Sequence, residues 1–253
     1  MTLHEGYMRR FRKGVRGRFK DIAITMIEWF FFRMSGKKWS LIPTSPTMYL
    51  SKDNPTSVLA PALMQDSKSV LHVGAHIGQE RKVYASLGLE VLWIEGDPDI
   101  YKILLSNIEE LPMQSAVCAL LSDKEETERD FFRVSNEGLS SSLYRLDENQ
   151  PFDIVETEVK KLQTTTLDSI LLEDFDIPPY WIIDVQGAEM LVLKGAARAL
   201  KKCKYLELEV STFFHYSNQP LFFELEAFLD TQGFFPIWRP GPNYHGDVLF
   251  LKR

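Results

Sequence analysis

The segment Val70-Leu-His-Val-Gly-Ala-His-Ile-Gly-Gln-Glu80 constrains the fold of this chain more than any other, because an apolar, β-branched run passes directly into a G-x-x-x-G turn and a helical pattern. Glycine lets a backbone turn sharply and approach a ligand closely, and the helix start behind it presents N–H groups without intrahelical partners. A bound carboxylate or ribose oxygen would suit those groups. Gly74, Ala75, His76 and Gly78 are therefore candidate ligand contacts.

The remainder of the chain repeats this alternation, which is the signature of parallel βαβ units. Strands are expected at Val70–Val73, Val91–Glu95, Ala116–Leu121, Trp181–Asp184 and Tyr205–Val210. Helices are expected over about 79–87, from Pro98 to about 110, over about 188–200, and at Phe222–Thr231, where Gly233 supplies the stop. An insertion at about 124–165 carries two more strands, Asp130–Val134 and Ile154–Leu162, around the loop SNEGLSSSLYRLDENQ. The closing runs FFPIW and DVLFLKR are joined by turn residues too few for a crossover helix, so they should pair antiparallel. The expectation is an α/β, Rossmann-like domain over 55–253, with a mainly parallel seven-stranded sheet, an antiparallel C-terminal strand pair and its ligand edge at the strands' C-terminal ends.

Two acids fall on that edge. Glu95 ends the strand VLWIE and lies 21 residues after Gly74, the spacing at which a nucleotide-binding βαβ unit accepts hydrogen bonds from ribose hydroxyls. Beside it Gly96 shapes the turn, and Asp97 is expected to cap the Pro98 helix. Asp184 ends the apolar strand YWIID just before Gln186 and Gly187.

In this order, VLHVGAHIGQE, VLWIEGDP, ALLSDKE, SSSLY, TTTLDSIL, IIDVQGAEMLVLKGA and YLELEVS resemble the FkbM family of S-adenosylmethionine-dependent methyltransferases, over about residues 68–251. The resemblance implies a class I methyltransferase fold and O-methylation of natural products or glycans. It also implies that Gly74, His76 and Gly78 border the methionine part of the cofactor, that Glu95 holds the ribose, and that the stretch from Cys118 through Ala119 to Asp123 lies near the adenine. Asp184 falls on the aspartate of the family's D-x-E-G-A-E segment, where this chain carries Gln186 for the usual glutamate. It also has His76 where many members have asparagine.

For removing a proton from an acceptor hydroxyl the first candidate is Asp184, with His215 in STFFHYSN and His245 in PGPNYHG behind it. Ser140, Ser141 and Ser142 are candidates for binding sugar hydroxyls, and no metal-ligand spacing stands out. An NAD(P)-dependent oxidoreductase is disfavoured, since Gly74–Gly78 lacks the G-x-G-x-x-G spacing and no separate substrate domain follows. The non-enzymatic alternative is a nucleotide-binding fold serving as a partner-binding module.

Charge is unevenly distributed. Residues 1–38 carry a net +7, leaving −13 on the other 215 residues to give −6 overall, so the acidic body disfavours nucleic acid as a partner. Within a helical arm at 1–54, residues 9–34 combine basic and aromatic side chains, which suits peripheral contact with an anionic inner membrane surface, or self-association. Its thirteen-residue apolar run Ile22–Met34 is too short to span a bilayer. The two cysteines, Cys118 and Cys203, both sit near apolar runs and fit a reducing, cytoplasmic setting.

Overall fold

The computed structural model describes residues 54–148, 150, 155–174 and 176–253. The basic arm lies outside the described residues. The elements in chain order are α1 (Thr56–Ser67), β1 (Ser69–Val73), α2 (Arg81–Ser86), β2 (Glu90–Glu95), α3 (Pro98–Ile108), β3 (Gln114–Cys118), β4 (Leu120–Leu121), β5 (Thr127–Val134) and β6 (Glu156–Thr165). There follow α4 (Leu167–Asp174), β7 (Tyr180–Ile183), α5 (Glu189–Lys194), a short 3-10 turn at Ala199–Lys201, β8 (Tyr205–Ser211), α6 (Phe222–Thr231), β9 (Phe234–Pro236) and β10 (His245–Lys252).

Seven strands form one sheet in the order β3-β2-β1-β7-β8-β10-β9. The first five run parallel, while β10 pairs antiparallel with both β8 and β9. Helices cover both faces of a parallel sheet, so its central strands are continuously apolar rather than alternating. Accordingly Val70, Leu71, Trp181 and Ile183 are all fully buried, the last three packed with Val192, Leu193, Leu225 and Leu229 from the helices.

The expected third strand divides at Ala119. Gln114–Cys118 stays in the large sheet, whereas Leu120 and Leu121 pair parallel with Thr164 and Thr165 in a second sheet ordered β4-β6-β5. The division follows from packing, since Leu120 turns under Gly96 and joins Phe131 and Leu143 in a small apolar cluster of its own. The expected helix at 188–200 also divides, into α5 and the 3-10 turn. At Gly195 a Cβ would stand 2.2 Å from the Ser122 carbonyl oxygen, and the Asp168 carboxylate accepts the N–H groups of Arg198 and Ala199, which start the second piece. Helices α1 and α4 go beyond the sequence reading; Thr56 ties α1 to β10 by accepting the Leu249 N–H at 3.0 Å. Among the described residues no helix is long and apolar enough to cross a membrane.

Buried titratable groups give stability a dependence on pH whose sign is fixed. Burial pushes Glu189 and Glu207 up from 4.5 to about 7 and Asp247 from 3.8 to about 6. These groups hold protons more tightly in the folded state, so their contribution is full at low pH and is lost as pH rises toward 7. Burial lowers His72 from 6.5 to about 3 and His215 to about 4, and their contribution is lost as pH falls below 6.5. The two sets oppose each other over the mildly acidic range. With three raised acids against two lowered histidines, the melting temperature is expected to fall as pH rises from about 5 to about 7; a rise over that interval would contradict these assignments.

Candidate active site

The C-terminal ends of β1, β2 and β7 lie side by side, with Val73 in register with both Ile94 and Ile183. The next residue on each strand is thereby placed on one rim: Gly74, Glu95 and Asp184. The Gly74 and Ala75 N–H groups both donate to the Ile94 carbonyl, and the Asp184 N–H donates to the Val73 carbonyl. Gly74 has φ +81°, and a Cβ there would fall 1.6 Å from the Asp184 carbonyl oxygen. Glycine is thus required both for its left-handed backbone and for the approach of two chain segments.

Above this rim opens a cleft whose empty volume, open solvent at its mouth included, is about 620 Å³. Gly74, His76, Glu95, Gly96, Ala119 and Asp184 line it, with Ile100, Leu120, Phe131 and Leu143 as an apolar wall. The other proposed contacts stand outside the lining. Ala75 is buried beneath the loop, Gly78 packs on Leu104 of α3, and Cys118 ends β3 in an exposed position. Asp123 accepts the Ser122 hydroxyl in the following turn, and His215 is buried between Phe213 and His245, with ring centroids 4.3 Å from each.

Glu95 is 8% exposed, and its two oxygens accept the N–H groups of His76 at 2.8 Å and Asp97 at 2.7 Å. Burial raises its proton affinity while these bonds oppose the rise. Each carboxylate oxygen has a second lone pair, so the group can still accept from a ligand hydroxyl. Asp97 caps α3 by accepting the Asp99 N–H, as expected from the sequence. His76 adopts φ +46°, a region that asparagine and histidine enter more readily than most residues. Its Nδ1 lies 2.9 Å from Gln79 Nε2, which makes it the acceptor and leaves Nε2–H to donate to the Glu137 carbonyl at 3.1 Å. The insertion is thus joined to the glycine loop.

A second connection was not anticipated from the sequence. Arg133 on β5 and Lys160 on β6 both reach Asp97, at 2.8 and 3.1 Å, and Lys160 also reaches Asp99 at 2.7 Å. This clasp fixes the β5–β6 hairpin beside the cleft. Among the candidate serines, Ser142 donates to the Gln186 carbonyl at 2.6 Å, and Ser140 accepts from Asn136. Ser141 alone of the three lines the cleft, and its buried hydroxyl has no partner among the described residues.

Around Asp184 the turn is held by buried Glu189, whose carboxylate accepts the Val185 and Gly187 N–H groups. Gln186, at φ +56°, donates from its amide nitrogen to Asp184 at 2.6 Å and to Glu209 of β8 at 3.0 Å. Its amide oxygen accepts the Tyr216 hydroxyl at 2.8 Å, and His245 Nε2 lies 3.3 Å from Glu209 on the side away from Gln186. His245 thus reaches the Asp184–Gln186–Glu209 group through Glu209, at the same edge of the sheet, and His215 packs on His245.

Five parallel strands followed by an antiparallel strand, with a glycine loop and two strand-end acids on one rim, define a class I S-adenosylmethionine-dependent methyltransferase. The chain belongs to the FkbM methyltransferase family: the Methyltransferase FkbM domain matches residues 72–236. No curated protein sequence matches the chain significantly. Similar solved structures include M. capricolum TrmK with S-adenosylhomocysteine, at TM-score 0.45 and 9% identity, covering 78% of this chain and 67% of that one. Magnesium protoporphyrin IX methyltransferase from Synechocystis PCC 6803 with S-adenosylhomocysteine gives 0.45 and 11%, covering 98% and 95%. A TehB-like methyltransferase from Corynebacterium glutamicum gives 0.41 and 12%, covering 90% and 96%.

The cleft fits the cofactor on its own terms. The Gly74 loop lines the cleft, Glu95 offers lone pairs to a ribose diol, the apolar wall suits an adenine face, and Ser141 offers a hydroxyl without a partner among the described residues. Replacing Glu95 with alanine is expected to weaken S-adenosylmethionine or S-adenosylhomocysteine binding about tenfold or more, the cost of losing a charge-assisted hydrogen bond being about 1.5–3 kcal/mol. Titration calorimetry checks this, and wild-type affinity in the variant would remove Glu95 from the site.

Proposed function

We propose that the protein is an O-methyltransferase acting on a hydroxyl of a sugar, a glycan or a related natural product. The observation that carries this reading is Asp184, a carboxylate on the rim of the cofactor cleft, steadied by Gln186 and open to the cleft. Bound S-adenosylmethionine supplies a methyl group on a sulfonium. Reaction with a hydroxyl requires the oxygen, methyl carbon and sulfur in line and the reacting atoms about 3–3.5 Å apart. Asp184 would receive the hydroxyl proton as the oxygen attacks and orient that oxygen through the same contact. Glu95, at the opposite side of the Gly74 loop, would fix the cofactor's ribose end. Ser141 would supply a hydrogen bond to either ligand. The sugar or glycan class follows from the family resemblance. A screen of glycan and small-molecule extracts with methyl-labelled cofactor, read by mass spectrometry, tests the proposal; label found on nitrogen or carbon acceptors alone would reject it.

A further inference from the structure

The group behind Asp184 contains more acids than an oriented base requires. Gln186 spans the Asp184 and Glu209 carboxyl groups with a single amide nitrogen, 2.6 Å from one and 3.0 Å from the other, and the register of β7 with β8 sets the two acids side by side. Two carboxyl groups gathered on one amide nitrogen and largely shielded from water repel each other when both are ionised, which favours a proton on one of them. The Glu209 side chain is 12% exposed, whereas Asp184 opens on the cleft. The surroundings of Glu209 are acidic. Asp247 stands opposite it on β10, Glu189 lies on α5 and Asp184 ends β7, while the nearby polar rings are those of Tyr216 and His245, with His215 stacked behind His245. Burial, Asp184, Glu189 and Asp247 all hold the proton affinity of Glu209 well above the ordinary carboxylate value. His245 adds no opposing cation near neutrality, since burial lowers its own proton affinity.

We propose that Glu209 is kept as a neutral carboxylic acid whose hydroxyl donates to Asp184, so that Asp184 alone carries the negative charge and faces the cleft in a fixed orientation. Gln186 and Glu209 then give Asp184 two donors on the side away from the acceptor, and the free side of its carboxylate is the one that meets the substrate hydroxyl. Glu209 accepts in turn from Gln186 and from the ring of His245. Glu209 is accordingly a positioning residue, acting only through Asp184. In turnover the acceptor proton moves to Asp184, and the pair returns to a single proton by releasing one to solvent. The inference rests on the reading of Asp184 as the base.

The pair can be observed without substrate. In the full-length, cofactor-free protein, carbon-13 NMR of side-chain carboxyl groups is expected to show Glu209 protonated at neutral pH and ionising only at higher pH. In D184N its titration should move downward, because a neighbouring charge has been removed. Glu209 ionised at neutral pH in the wild type would overturn the proposal, and this measurement does not depend on the folding of any variant. With the acceptor found by the labelled-methyl screen, wild-type kcat should fall on the alkaline side as Glu209 loses its proton. E209Q, which keeps a donor, should retain part of kcat and lose that alkaline fall; E209A should lose about tenfold or more in kcat with little change in cofactor affinity. An unchanged pH profile in E209Q, with D184N inactive, would reject the positioning role alone. Full activity in D184N would reject the base reading and this inference together.

Discussion

Asp184→Asn is expected to lower methyl transfer by at least ~100-fold while S-adenosylmethionine still binds, since a positioned general base contributes about 10²- to 10⁴-fold to rate. The replacement nearly preserves shape and removes the anion. Its backbone should hold, because the Asp184 N–H bonds to Val73 and does not involve the side chain. Gln186 presents an amide N–H to position 184, which the asparagine side-chain oxygen can still accept. Single-turnover transfer to the identified acceptor, together with calorimetric cofactor titration, separates the outcomes. Joint loss of binding and transfer would reassign Asp184 to holding the cofactor; full activity would leave it a residue of the turn.

Gly74→Ala is expected to abolish cofactor binding and to destabilise the fold by at least ~2 kcal/mol, combining left-handed strain with an overpacked contact. The added carbon would fall on the Asp184 carbonyl, so strands β1 and β7 would have to separate where the site is built. Gly88→Ala is the matched control, because Gly88 also has positive φ, at +66°, yet nothing lies within 4 Å of its added Cβ. That variant should show the strain without the clash and keep its cofactor affinity. Denaturation midpoints and binding titrations of the two variants measure the difference, and equal effects would show that contact with Asp184 is unimportant.

The sheet was readable because its central strands are buried on both faces, so VLHV, VLWIE and YWII stand out as unbroken apolar runs between turns. The acid at the end of β2 was readable by spacing from Gly74, and the acid at the end of β7 by its place before a glycine turn. Glu209 was not. Its strand, YLELEVS, alternates Leu206, Leu208 and Val210 with Glu207 and Glu209, the pattern of a strand with one face in water. Only the sheet order, which places β8 between β7 and β10, reveals those acids as shielded from water. Arg133 and Lys160 were hidden for the same reason, as long cations on strands that look solvated. Cys118 and Asp123 were assigned to the adenine region by resemblance, but β3 ends at Cys118, and the residues of this stretch that line the cleft are Ala119, Leu120 and Leu121. Helix α1 contains Pro61 and lacks a clear apolar stripe, so pattern reading had little to detect.

Gly195 bears on how this chain can change over generations. Its φ of −72° suits any amino acid, so the demand for glycine there is purely one of room. The obstacle is the carbonyl oxygen of Ser122, a main-chain atom present whatever residue occupies position 122. A substitution at Gly195 therefore has no simple second-site suppressor: shortening a neighbouring side chain frees no space, and only displacement of the backbone itself would. At Gly78 the nearest atom to an added Cβ is the tip of the Leu104 side chain, so a smaller residue at position 104 would remove the clash and leave only the backbone strain of its φ of +70°. Of these two glycines, Gly195 is the one at which a genetic lesion is the less repairable.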